Sequence, residues 1–160
     1  MNYVTHLECA LTGEVVEKGI PHTLSPAGKP LLVKYDLKRI KNEVNRSDIE
    51  NSSEPGFWRY SPLLPVSNSE NKVSLGEVIT PLITLKSSID HLNVSHGNVI
   101  FKDESRLPTG SFKARGLGMA VSMAKEFGFK HLAIPTNGNA GSALAAYAAR
   151  AGLKSTVLCP

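Results

Sequence analysis

Cysteine is scarce in this 160-residue chain: Cys9 and Cys159 stand near its two ends, with no CxxC pair. Two such thiols build neither a zinc cage nor the disulfide framework of a small secreted domain. Long apolar runs are missing too. No window reaches eighteen consecutive apolar residues, and the N-terminal MNYVTHLECALTGEVVEKG lacks a basic stretch followed by an apolar one. Neither a membrane span nor a secretory signal is therefore expected. There is little excess charge: 18 basic against 14 acidic residues leave +4, spread along the chain. That is too small to imply a nucleic-acid partner, though it suits a small anion. The histidines, at 6, 22, 91, 96 and 131, have no ligand spacing with acids or cysteines, so no metal site is expected. No P-loop and no GxSxG elbow occur, and Gly116-Leu117-Gly118 lies inside a helical pattern rather than after a strand and turn. What remains is an ordinary foldable composition, 41% apolar and 20% charged, with a length that suggests one domain. The expected setting is intracellular and cytoplasmic.

The chain changes character near residue 75. Before it, apolar residues are scattered among prolines and polar runs. LLVKY (31–35) has a strand's composition, and Asp36 is placed to cap a short helix with Leu37, Ile40 and Val44 on one face. NRSDIENSSEP (45–55) reads as an exposed loop. After residue 97 strands and helices alternate. NVIFK (98–102) is a strand, DESRLPTGS a loop, and a helix runs from Ser111 to Phe127. Its apolar face is read as Phe112, Gly116, Met119, Ala120, Met123, Ala124 and Phe127, ending at Gly128. HLAIP (131–135) is a second strand, TNGN a tight turn, AGSALAAYAARA a helix closed by Gly152, and STVLC a third strand. This order predicts an α/β fold with a parallel sheet flanked by helices.

In such sheets ligands bind beyond the carboxyl ends of the strands, where two unusual loops lie. The first, KDESRLPTGSFK, delivers Lys113 into the first turn of a helix. Helix N-termini favour acids, yet this one carries Lys113 and Arg115, with no acid until Glu126. The positive end of a helix disfavours a charged amine, which brings a neutral, nucleophilic lysine within easier reach. The alternative is an ordinary surface lysine. The second loop, Thr136-Asn137-Gly138-Asn139-Ala140-Gly141-Ser142, presents backbone amides at a helix start, a cradle for a carboxylate or phosphate. Asn139 offers a donor and an acceptor there; equally, it serves as an N-cap, with Gly138 a turn residue. Ala140, Gly141, Ala143 and Ala145 also suit close packing of helix on sheet.

Together KDESRLPTGSFKARG and TNGNAGSALAAYAARAG resemble the fold-type II pyridoxal-phosphate (PLP) enzymes, which include threonine synthases, serine/threonine dehydratases and cysteine synthases. The finer resemblance is to the threonine synthase family. LLVKYDL, FWRYSPLLPV and SLGEVITPL (74–82) are similar to its N-terminal landmarks, in order. It implies a tryptophan synthase β-like α/β fold of parallel sheets flanked by helices. It also implies that Lys113 carries PLP as a Schiff base and later moves protons, that Phe112 packs against the cofactor ring, and that Asn139 bonds the ring hydroxyl. Thr136, Asn137, Gly138, Asn139 and Ala140 would hold the substrate carboxylate, with Ser111 and Arg115 shaping the loop or helping an anionic substrate. The implied reaction converts O-phosphohomoserine and water to L-threonine and phosphate, PLP acting as electron sink.

The sequence departs from the family in places. Thr12 stands where relatives often carry the second cysteine of a CxxC-like element, so a metal at Cys9 is not expected. Val78 replaces a common glycine. The family cradles the cofactor phosphate with a glycine-rich loop downstream of GNAG, but no two of the thirteen glycines here adjoin, and the partner of the pyridine nitrogen is C-terminal as well. The expectation is an apparently truncated chain, inactive by itself. Residues 1–129 would contribute to the larger domain, and 130–160 would be the incomplete start of a smaller α/β domain with an exposed apolar edge. No nucleic-acid or membrane partner is expected, and a homodimer is left open for the full-length form. Two further readings stay open: a dehydratase or other β-replacement enzyme, which shares PTGSFK, and a non-catalytic interaction module.

Overall fold

The computed structural model describes residues 2–54, 56–85 and 98–160; His91 and His96 lie outside them. The chain opens with an antiparallel sheet in the order β2–β1–β3, formed by β1 (Val4–Cys9), β2 (Val15–Val16) and β3 (Leu31–Tyr35). In the middle strand Leu7 faces Val16 on one side and Val33 on the other. Asp36 ends β3 and opens α1 (Leu37–Glu43), its carboxylate accepting the Arg39 amide at 3.0 Å. The expected face of α1 holds only in part: Ile40 and Val44 are half-buried, whereas Leu37 is exposed.

Residues 45–55, expected as a loop, contain a short helix, α2 (Arg46–Glu50). The Asp48 carboxylate reaches back to the Asn45 amide at 2.9 Å, so a polar cap starts this helix without an apolar stripe. Arg59 closes its other end by donating to the carbonyls of Ile49 and Glu50 at 3.0 and 2.9 Å.

The sheet expectation needs a larger correction. β4 (Leu82–Leu85) and β5 (Val99–Lys102) form an antiparallel pair, with Ile83 opposite Phe101. Parallel pairing is confined, among the described residues, to β6 (His131–Pro135) and β7 (Lys154–Leu158), where Ala133 faces Thr156. β5 therefore does not join the parallel sheet among the described residues. Strand composition is the same whichever neighbour a strand takes, and the partner is chosen by contacts remote in sequence. The β6–β7 connection contains α4 (Asn139–Ala151), the kind of crossover that parallel neighbours need. Leu158, at the end of β7, is exposed.

α3 (Lys113–Glu126) lies where its periodicity puts it, and Gly128 after it has φ +77°; Gly152 after α4 has φ +69°. Its buried face, however, coincides with the expected one only in part: Ala124 is buried and Met119, Met123 and Phe127 are half-buried. The buried residues are Ala114, Gly118, Val121, Ser122 and Ala124, whereas Phe112, Gly116 and Ala120 are exposed. Small side chains let α4 approach: a Cβ on Gly118 would lie 3.0 Å from the Tyr147 ring. Tyr147 and Leu144 of α4 thus share one core with Ala114 and Val121 of α3, Val73 and Leu107. Met119 and Met123 flank a second core of Phe57, Trp58 and Val66, where the Phe57 and Trp58 rings sit 4.5 Å apart. Large residues dominate a hydrophobicity pattern, but backbone proximity is set by the small ones.

Candidate active site

The segment leading into α3 is held in an unfavourable shape. After β5 the chain makes two tight turns, Glu104–Arg106 and Pro108–Gly110, before Ser111 and Phe112 lead into Lys113. Thr109 has φ +67°, the one non-glycine residue at positive φ among the described residues. For a β-branched residue that conformation costs about 1–2 kcal/mol. The hydroxyls of Thr109 and Ser111 are also buried without a hydrogen-bond partner among the described residues, and Ser111 is 7% exposed. Each orphaned hydroxyl costs about 1–3 kcal/mol. Strain and unmet polar groups together on one short segment mark a place selected for something other than stability.

Lys113 is the first residue of α3, and the first turn holds no acid. Its side chain is half-buried rather than fully solvated, and Nζ sits 4.4 Å from the centroid of the Phe112 ring. No hydrogen bond or ion pair engages it among the described residues. Phe112 is 60% exposed, which leaves an aromatic face open beside the amine.

Arg115, on the same turn, is already committed. Its Nε donates to Glu104 Oε2 at 2.5 Å and its Nη2 to Glu104 Oε1 at 2.8 Å. Thr80, 2% exposed, donates its hydroxyl to Glu104 Oε1 at 2.7 Å and accepts from Arg115 Nη2 at 3.3 Å. The Arg115 hydrogen bonds bring the Glu104 carboxyl from its ordinary 4.5 down to about 2, and Glu104 in turn raises the Arg115 guanidinium. Arg115 thus ties the first turn of α3 to the loop that precedes it, through Glu104.

The start of α4 is built differently. Gly138 is the N-cap and Asn139 the first helical residue, so Asn139 is not the cap. Its side chain is exposed. Gly138, with φ −168°, has an extended backbone open to any residue, and nothing lies within 4 Å of where its Cβ would be. The indispensable glycine is Gly141, whose Cβ would meet Val157 Cγ1 at 2.7 Å and Thr136 Cγ2 at 2.9 Å. The amides of Asn139 and Ala140 have no intrahelical acceptor and form a positive rim beside Thr136 and Asn137.

Thr109, Glu104 and Thr80 were not singled out from the sequence. The positive φ at Thr109 has no local signal, since threonine does not advertise it. The Glu104–Arg115–Thr80 cluster joins positions 11 to 35 residues apart, which no short motif encodes. Elsewhere, on the first sheet, the Cys9 thiol is 1% exposed and accepts the Thr12 amide at 3.4 Å. The neighbouring Ser25 hydroxyl, followed by Thr12, lowers it from 9.0 to about 7.

Similarity to known proteins covers both loops. Residues 73–160 match the sequence model of the pyridoxal-phosphate dependent enzyme family. A threonine synthase of Methanocaldococcus jannaschii is 36% identical over 154 residues, covering 96% of this chain and 36% of the relative. One from Methanosarcina acetivorans is 34% identical over 156 residues, covering 97% and 37%. One from Synechocystis is 44% identical over 108 residues, covering 64% and 28%. The chain thus spans little more than a third of the length of these relatives at most. No helix among the described residues is long and apolar enough to cross a membrane.

Proposed function

This chain belongs to the pyridoxal-phosphate dependent enzyme family, and from that premise we propose that it carries the lysine-bearing part of a threonine synthase, acting on O-phosphohomoserine and water to give L-threonine and phosphate. The observation that supports this most is the start of α3, where half-buried Lys113, without a salt-bridge partner among the described residues, follows a strained turn with two hydroxyls orphaned among those residues. The residues present suit an aromatic, anionic aldehyde: an amine to hold it, the open Phe112 face beside that amine, and an exposed Asn139 carboxamide at a positive helix end. PLP is the cofactor of the family, and when bound it supplies a sink for the electrons released at the substrate carbons.

In this reading Lys113 Nζ would hold the cofactor and would also take and return protons at the substrate carbons. Phe112 would pack against the cofactor ring. Asn139 would bond the ring hydroxyl, and the amides following Thr136 and Asn137 would hold the substrate carboxylate. Ser111 and Thr109 offer their unpaired hydroxyls to a polar group arriving beside Lys113. Arg115 acts through the loop, by its pairing with Glu104. Residues 1–129 would belong to the larger domain of such an enzyme and 130–160 to the start of the smaller one.

The test is to add PLP to the purified chain, reduce with cyanoborohydride and measure the labelled fraction of Lys113 by peptide mass spectrometry. O-Phosphohomoserine, whose amine competes with Lys113 for the cofactor, is expected to lower that fraction more than equal concentrations of threonine or serine. A larger effect of threonine or serine would favour a dehydratase-like lyase, and equal effects of all three would remove the preference for O-phosphohomoserine. Labelling that Lys113→Ala leaves unchanged would remove the enzyme reading.

A further inference from the structure

The two functional loops are remote in sequence, and the site they would form depends on their relative placement. One extended segment touches the supports of both. Val73 donates its amide to Ser122 Oγ at 3.0 Å in the middle of α3, and that hydroxyl in turn donates to the Gly118 carbonyl at 2.7 Å. Ser74 gives its carbonyl to Arg150 Nε of α4 at 3.1 Å. Glu77, fully buried, accepts the Tyr147 hydroxyl of α4 at 2.5 Å, the Ser74 hydroxyl at 2.5 Å and the Leu75 amide at 3.1 Å. Three residues on, Thr80 holds Glu104 and Arg115 at the start of α3. The backbone of Gly56 packs so closely on Glu77 that a Cβ there would lie 2.5 Å from the Glu77 Cβ, which closes the segment from its other side.

Glu77 is a costly choice for a purely structural hook. Among the described residues no cation is bonded to it, and a buried acid so placed costs more than a neutral group that would fill the same space. Its neighbours supply three donors aimed from both the segment and α4, which sets the orientation of α4 as a spacer cannot. Thr80 does the same at α3 by completing a charged pair. The helix starts bearing Lys113 and Asn139 are thereby referred to one short piece of chain.

We propose that residues 73–80 form a positioning staple, in which Thr80, through Glu104 and Arg115, sets the Lys113 loop while Glu77, through Tyr147, sets the Asn139 loop. The staple rests on the reading of those loops as functional; its hydrogen-bonded geometry does not. Glu77 and Thr80 are positioning residues and reach a ligand only through the groups they hold.

The experiment uses the whole chain with Thr80→Val, Thr80→Ser and Tyr147→Phe. Backbone hydrogen exchange is followed first, without cofactor. Thr80→Val is expected to speed exchange of residues 105–112 about tenfold or more while leaving 136–142 within about twofold, and Tyr147→Phe to do the reverse. Thr80→Ser, which keeps the hydroxyl, is expected to match the parent. PLP with cyanoborohydride is the second probe: Thr80→Val should lower Lys113 labelling about fivefold and weaken the near-ultraviolet circular dichroism of the bound pyridoxyl group, and Thr80→Ser should restore both. Uniform acceleration throughout the chain, or none at either loop, overturns the staple. So does parental labelling and dichroism in Thr80→Val. Should the parent chain fail to label at Lys113, the cofactor reading falls, and the exchange pattern alone decides the staple.

Discussion

The starts of α3 and α4 look like two copies of one device, a strand, a small-residue turn and a helix N-terminus. Physically they are opposites. The α3 start is strained at Thr109, keeps two buried hydroxyls without a partner among the described residues and is gripped by Glu104, Arg115 and Thr80. The α4 start is relaxed at Gly138, exposes Asn137 and Asn139, and is pressed on the sheet at Gly141, where a Cβ would meet Val157 and Thr136. The difference matches what each would contribute. A reacting amine must be placed accurately, and side chains that hold it carry a cost in stability. Helix amides that receive an anion come already oriented by the backbone.

Substitutions that act on one helix start alone test this contrast. The largest effect is expected from Gly141→Ala, where the new methyl meets two β-branched side chains with little freedom to move. A loss of about 2 kcal/mol in urea unfolding is expected; a loss below about 0.5 kcal/mol would show that α4 is not pressed onto the sheet. Glu104→Gln comes next, at about 1.5 kcal/mol near neutral pH, because Arg115 loses its charged partner. Its pH signature is specific. Glu104 is depressed in the folded state, so its stabilisation is fully present above its ordinary 4.5 and is lost as pH falls toward about 2. The parent chain should therefore lose more stability than Glu104→Gln between about pH 5 and about 2. Parallel acid curves would contradict the grip.

Smaller changes of opposite kind close the comparison. Thr109→Gly should stabilise the chain by about 1 kcal/mol, by relieving a positive φ and removing an unpaired buried hydroxyl. Cofactor labelling at Lys113 should nevertheless fall, because the relieved loop no longer holds the amine. Gly138→Ala should be close to neutral, within about 0.5 kcal/mol, since neither its backbone nor its surroundings demand glycine. A stability gain at Gly138 and a loss at Thr109 would reverse the contrast between α3 and α4.

Much of this arrangement is legible in the amino-acid sequence. Lys113 at a helix start without acids, the Asp36 cap, and the left-handed glycines 128 and 152 each follow from local rules. The short helix α2 is readable too, from Asn45 and Asp48 three positions apart, but it has no apolar stripe to draw attention. Other features depend on remote contacts. The antiparallel partner of β5 is β4, not the later strands, and nothing in VIFK distinguishes the two outcomes. The most buried face of α3 is chosen by Tyr147 approaching Gly118, whereas a hydrophobicity pattern led by Met and Phe points to the flank that packs on Phe57, Trp58 and Val66. Thr80, Glu104 and Arg115 meet only once the chain is folded.

The central claim is that the start of α3 holds one chemically distinct amine. Peptide mapping of the chain after limited PLP treatment and reduction tests it most directly. Lys113 is expected to be labelled well ahead of exposed lysines such as Lys38 and Lys130, and Thr109→Gly to erode this lead. Labelling spread across the lysines in proportion to their exposure, with Lys113 no different from the rest, would contradict it.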